Sequence, residues 1–233
     1  MAASRRAHRL RLALALIGLL AVGTAAGRDP SGAGGPAQKL VVDDDFERGQ
    51  RRGLYLRPCS VEVVDGLGLA HGSGRCFYPQ VIGDAHLSFM LRPGVGREGS
   101  YGAIVMADTG IDRIMDFYVE VWVIPGANVV RVEPWSRGRT APFEAPIPRE
   151  AGFAGGQWNR VEVIIANGTL TVVLNGVEVA KWEGPAPALR GYVGWILDSV
   201  PETEPARIDD FTVVSHGYHF PGAPPLLLQI SLI

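Results

Sequence analysis

In the run IMDFYVEVWVI at residues 114–124, Asp116, Tyr118, Glu120 and Trp122 recur at every second position, and Arg131, Glu133 and Trp135 do the same in the following VVRVEPW. Side chains two positions apart share one face of an extended strand. Two neighbouring strands are therefore expected to present carboxylates, a guanidinium and aromatic rings together, while Met115, Phe117, Val119, Val121, Val123, Val130 and Val132 point the other way. Rings beside hydrogen-bonding charged groups suit a polyhydroxylated ligand. A plainer reading stands beside it, in which Arg131 pairs with Glu120 or Glu133 on a solvated face and Trp122 covers an edge. For catalysis the carboxylates matter most. Asp116 and Glu120 lie four positions apart, about 13 Å along a strand, beyond the roughly 5–9.5 Å separation of two-carboxylate glycosidases. That leaves Glu120 with Glu133, across strands, as the candidate pair for hydrolysis.

Other chemistry is sparse. Cys59 and Cys76, 17 positions apart, form no CxxC pair. In an oxidising compartment they suit a disulfide across a local hairpin, closing a loop for which chain entropy gives roughly 3 kcal/mol; two separately buried thiols are the alternative. His71, His86, His216 and His219 make no recognisable metal-ligand motif. The glycines of PGVGREGSYG lack GxGxxG spacing and precede no amphipathic helix, so they do not read as a phosphate cradle.

The elements that must position these residues are strands. In GQWNRVEVIIANGTLTVVLNGVEVAKWE (156–183), Asn167-Gly168 and Asn175-Gly176 separate three hydrophobic runs, the pattern of a meander with type I′ turns. Val161, Val163 and Ile165, then Leu170, Val172 and Leu174, then Val177 and Val179 form a buried row that a second sheet must cover. A hairpin is expected around Asp65-Gly66, with strands at Ala85–Arg92, Ala103–Ala107, Tyr192–Trp195 and Ile208–Val214. Residues 137–156, rich in Pro, Gly and Ala, read as a long loop.

Residues 1–27 combine Arg5, Arg6, Arg9 and Arg11 with an apolar core of roughly 12 residues and a small-residue site near Ala26. This is the pattern of a cleaved secretory signal, too short for a membrane span of about 20 residues. Residues 28–40 read as a flexible leader, 41–216 as the sandwich and 217–233 as an accessory apolar tail. Losing the four signal arginines takes the net charge from −2 to −6, which speaks against a nucleic-acid binder. The expectation is a secreted, periplasmic or extracellular protein without a stable membrane span after cleavage. The Asn167-Gly168-Thr169 sequon is explained equally by its turn.

VDDDFERG (42–49), the 156–184 segment, GYVGWI (191–196) and IDDFTVV (208–214) resemble the concanavalin A-like lectin and glucanase sandwiches, most of all the 3-keto-disaccharide hydrolase domain family. The likeness covers about residues 41–215. It implies an all-β, two-sheet antiparallel jelly-roll sandwich whose concave sheet holds sugar, with Asp116, Tyr118, Glu120, Trp122, Arg131 and Glu133 on that face. The glucanase E-x-D-x-x-E strand is missing. A non-catalytic carbohydrate-binding domain for a glycan or envelope polysaccharide is therefore favoured over a glycoside hydrolase or a protein-interaction sandwich. The resemblance also implies a structural Ca²⁺ where the chain ends meet. Its candidate ligands are Asp44, Asp45 and Glu47 beside Asp43 at one end, and Asp209 and Asp210 at the other.

Overall fold

The structure, a computed structural model, describes residues 38–46, 54–56, 60–107, 117–135, 141–183, 191–216 and 219–221. The expected signal, nearly all of the leader and tail, and Glu47, Cys59 and Asp116 lie outside them. In chain order the described strands are β1 (Gln38–Asp44), β2 (Leu54–Leu56), β3 (Ser60–Val64), β4 (Leu67–Ile82), β5 (Ala85–Arg92), β6 (Ser100–Ala107), β7 (Phe117–Ile124) and β8 (Val129–Trp135). They continue as β9 (Phe143–Pro146), β10 (Asn159–Ala166), β11 (Thr169–Leu174), β12 (Val177–Glu183), β13 (Gly191–Val200), β14 (Ala206–His216) and β15 (His219–Pro221).

Three Xaa-Gly steps set the local hairpins. Asp65-Gly66, Asn167-Gly168 and Asn175-Gly176 all have both residues at positive φ, between 50° and 87°, the conformation that matches the twist of the strands a two-residue turn joins. They produce the β3–β4, β10–β11 and β11–β12 hairpins. The segment read as a loop at 137–156 contains β9 and a short helical turn at Arg149–Ala151. Its prolines obscured a four-residue edge strand, a place where proline is tolerated because one side of the strand makes no ladder bonds.

Every pairing is antiparallel. One sheet runs β12–β11–β10–β5–β14, and the far side of β14 is shared by β1 and the start of β4. The other runs β9–β8–β7–β6–β13–β4, with β2 and β15 beyond β4. The sixteen-residue β4 belongs to both: Gly68–Ala70 pair with β14, and Gly72–Ile82 pair with β13. Gly72, at φ 82°, sits at the passage between them. This is a two-sheet antiparallel jelly-roll sandwich.

The core is filled from both inner faces. Leu87, Phe89 and Leu91 of β5 and Val161, Val163 and Ile165 of β10 are buried on one sheet, and Val119, Val121, Val123, Val130 and Val132 on the other. Phe211 lies between Tyr78 and Phe89, with ring centroids 4.8 and 5.8 Å away. Fully burying one such aliphatic or aromatic side chain contributes about 1.5–3 kcal/mol. On β12 the expected row is broken by a bulge: Val172 pairs with Ala180 and Val173 with Glu178. Ala180 is consequently the buried residue, while Val177 and Val179 are half-buried against the core. No helix among the described residues is long and apolar enough to cross a membrane.

Candidate functional site on the outer face of the second sheet

The alternation of β7 divides its residues between two environments. Val119, Val121 and Val123 enter the core, and Tyr118, Glu120 and Trp122 face the opposite side. Strand β8 pairs with β7 so that Tyr118 is opposite Trp135, Glu120 opposite Glu133 and Trp122 opposite Arg131. Directly opposed positions on one face hold their Cβ atoms about 4.5–5.5 Å apart. Five of the expected site residues, Tyr118, Glu120, Trp122, Arg131 and Glu133, thus share one surface, and Trp135 occupies its register position there.

They are not displayed equally. Tyr118 and Glu120 are buried, at 7% and 3% exposure, while Trp122, Arg131 and Glu133 are half-buried. Arg75 of β4 accounts for part of this covering. Its Nε donates to Glu120 Oε1 at 3.0 Å, its Nη2 donates to the same oxygen, and its guanidinium carbon lies 5.7 Å from the Tyr118 ring centroid. That is within cation–π range. The bridge crosses β13 and β6, where the intervening positions on this face are Gly194 and Ile196, and Gly102 and Ile104. Gly194 and Gly102 raise no side chain in its path. Gly102 has a second reason to be glycine: a Cβ there would lie 1.7 Å from the carbonyl oxygen of Val121.

The second oxygen of Glu120 accepts the indole N–H of Trp122 at 3.2 Å. Burial pushes the Glu120 carboxyl above the usual carboxylate range, and the charge of neighbouring Glu133 adds to this; the Arg75 charge and the hydrogen bonds from Arg75 and Trp122 oppose it. Both oxygens face obligate N–H donors, so an added proton has no acceptor among these partners. The arrangement holds an ionised carboxylate that fixes two side chains.

Arg131 does not pair with Glu120 or Glu133. Its Nε donates to Glu144 Oε1 at 2.7 Å, on β9. Glu133 has no hydrogen-bond or ion-pair partner among the described residues. Arg75 and Glu144 are not legible from the sequence: the glycines of HGSGRCFYPQ mask its strand alternation, and Glu144 lies in the stretch whose prolines read as a loop. The buried Gly74, Cys76 and Tyr78, two apart around Arg75, are the signal that places Arg75 on the outer face.

The other expected sites fall elsewhere. β1 and β14 pair antiparallel, with Asp43 opposite Thr212 and Asp44 opposite Phe211, so the two acidic stretches are neighbours. Asp44 is buried; its Oδ2 accepts the Tyr78 hydroxyl at 2.9 Å and its Oδ1 accepts the Phe46 amide at 3.3 Å. Asp209 Oδ1 accepts the amide of Asp210, which stands at φ 51° beside a bulge. A Ca²⁺ cage needs six to eight oxygens. Among the described residues no three His, Cys, Asp or Glu side chains converge as metal ligands do; Glu47, a further candidate, lies outside the described residues. Cys76 is buried in β4, and its expected partner Cys59 also lies outside them.

Comparison with solved structures places this architecture in a known class. A Bacillus subtilis protein of unknown function with a galectin-like fold is similar over 75% of this chain and 94% of its own, at 11% identity and a TM-score of 0.58. A prokaryotic β-1,3-1,4-glucanase (lichenase) from a mouse hindgut metagenome matches over 75% of this chain and 98% of its own, at 8% identity and a TM-score of 0.56. Carbohydrate binding module CBM66 from Bacillus subtilis matches over 78% and 97%, at 11% identity and a TM-score of 0.51. No protein-family model matches the sequence, and no curated protein matches it significantly. The chain shares the jelly-roll fold of these galectin-like, carbohydrate-binding-module and glucanase structures.

Proposed function

We propose that this protein is a secreted, non-catalytic carbohydrate-binding sandwich whose ligand lies on the outer face of the β4–β9 sheet. The observation that carries this reading is the double engagement of Glu120, which holds Arg75 through one oxygen and the Trp122 indole through the other. A fixed, half-exposed indole is a platform on which a sugar ring stacks through its apolar C–H face, while carboxylates and a guanidinium beside it meet the hydroxyls. Structural likeness to a carbohydrate-binding module and a glucanase supports a glycan ligand. Secretion rests on the signal-like residues 1–27.

The test is calorimetric titration with glycans selected on an array, combined with assay for released sugar. Binding without product, weakened at least tenfold by Trp122→Ala with the circular dichroism spectrum retained, is the expected result. Equal binding by the folded variant would remove Trp122 from the site.

A second reading, a glycoside hydrolase, is favoured by one observation: Glu120 and Glu133 are directly opposed on adjacent strands, in keeping with the closely spaced carboxyl pairs of retaining enzymes. Sugar release by the wild type, abolished in both Glu120→Gln and Glu133→Gln, would establish it in place of the first.

A further inference from the structure

The charges on this face do not balance, and the imbalance bears on the ligand. Taken strand by strand, the described positions facing outward hold two cations, Arg75 and Arg131. Each is already committed to a carboxylate, Arg75 to Glu120 and Arg131 to Glu144. Two further carboxylates on the face have no cation among the described residues. Glu133 stands opposite Glu120. Asp198 of β13 stands opposite Ser100 and is exposed, and its oxygens accept only hydroxyl donors, from Ser73 at 2.6 Å and Ser199 at 3.1 Å. The other outward positions between them, Ile196, Gly102 and Ile104 among them, carry no charge.

We infer that, resting on the carbohydrate-binding reading above, this face rejects glycans bearing carboxylate or sulfate groups and prefers those bearing free amines, with Glu133 as the residue that sets the preference. Among the described residues of this face an acidic sugar meets no free guanidinium. To recruit Arg75 it has to displace Glu120, leaving a buried carboxylate uncompensated, which is strongly unfavourable. It also brings a like charge to Glu133, whose own partner across the ladder is already an anion. A neutral sugar offers hydroxyl donors to Glu133, and a glucosamine-type residue offers an ammonium, which gains Coulomb attraction as well.

A glycan array containing neutral, glucosamine-bearing, uronate-bearing and sulfated chains tests this at low and high salt. Signals confined to neutral and amino glycans are expected, with the amino preference shrinking at high salt as screening requires. Glu133→Gln should then lower the amino-to-neutral affinity ratio about fivefold, the factor for one charge pair at about 4 Å in water-like surroundings, and should admit uronate-bearing chains. Binding of uronate or sulfated chains by the wild type as tightly as neutral ones would overturn the charge selectivity while leaving the carbohydrate-binding reading intact. An unchanged ratio in a folded Glu133→Gln protein would remove Glu133 from the role. No binding to any glycan would overturn the underlying reading, and this inference with it.

Discussion

Arg75 of β4 reaches Glu120 of β7 across two intervening strands, with Nε 3.0 Å from Oε1. Four strands of one sheet are thereby pinned by one ion pair, and the Trp122 indole is pinned with them. The Glu120 side chain is 4% exposed and that of Arg75 21%. In such surroundings removing one partner costs far more than removing both, because the remaining charge stays desolvated. Arg75→Met is expected to destabilise the domain by about 3 kcal/mol in urea unfolding, and the double variant Arg75→Met/Glu120→Met to recover most of that loss. Additive losses in the double variant would show that the two residues act separately.

Gly102 sits opposite Trp122 on the β6–β7 ladder. Its virtual Cβ meets backbone rather than a flexible side chain, at 1.7 Å from Val121 O, so no rotamer change relieves the overlap. Gly102→Ala should force β6 and β7 apart, cost about 1–3 kcal/mol as other overpacked sites do, and displace Trp122. Intrinsic tryptophan fluorescence together with a thermal melt reads both consequences. A variant that melts like the wild type would show that the ladder has slack here.

The way these sites were legible, or were not, follows from what each depends on. Hairpins at Asp65-Gly66, Asn167-Gly168 and Asn175-Gly176 could be read from two residues each, because positive φ at both turn positions is a local demand that few residue pairs meet. The outward sharing of Tyr118, Glu120 and Trp122 was equally local, a consequence of strand alternation. What Glu120 bonds to was not, since its partner lies 45 positions away in sequence and the strand carrying it is camouflaged by glycines. For Arg131, strand alternation offers Glu120 or Glu133 as possible partners, while its partner Glu144 comes from an edge strand whose prolines imitate a loop. The bulge that turns Ala180 inward depends on the ladder with β11, which no alternation within β12 reveals.

Asp44 joins β1 to the aromatic core. Its oxygens accept from the Tyr78 hydroxyl and the Phe46 amide, and Tyr78 stacks on Phe211. Asp44→Ala removes the acceptor of both donors, so a loss of about 1–3 kcal/mol is expected, the cost of leaving buried donors unmade. Tyr78→Phe should cost less, since it keeps the stack and the Phe46 bond. Repeating the melts with chelator and with added calcium separates this role from an ion-binding one. A hydrogen-bonding strut predicts the same Asp44→Ala loss in both, whereas a calcium-dependent loss would make Asp44 a ligand.

On the outer face of the other sheet, Glu162 Oε1 lies 3.0 Å from His86 Nε2 and 3.2 Å from Arg160 Nη2. The hydrogen bond from His86 is the main reason the Glu162 carboxyl is held below its ordinary value of 4.5; the Arg160 charge adds to it, and partial burial opposes it. A carboxyl whose pKa is lower in the folded protein than in the unfolded chain binds fewer protons when folded. Its contribution is therefore complete above the ordinary value and is lost as pH falls from there through the depressed one. Glu120 carries the opposite sign: its raised pKa makes the ionised form costly, so its contribution weakens as pH rises above 4.5. Glu162→Gln should accordingly lower the melting temperature at neutral pH, by a few degrees at most for a partly exposed cluster. The gap between variant and wild type should narrow as pH falls from 4.5 through the depressed value, below which both side chains are uncharged. Glu120→Gln should act in the reverse sense, relieving the wild type's cost most at neutral pH, except for what is lost by unpairing Arg75. A gap for Glu162→Gln that stays constant on acidification would show that the cluster is held by hydrogen bonds indifferent to the carboxylate's charge, and would move the acid sensitivity of this fold to other groups.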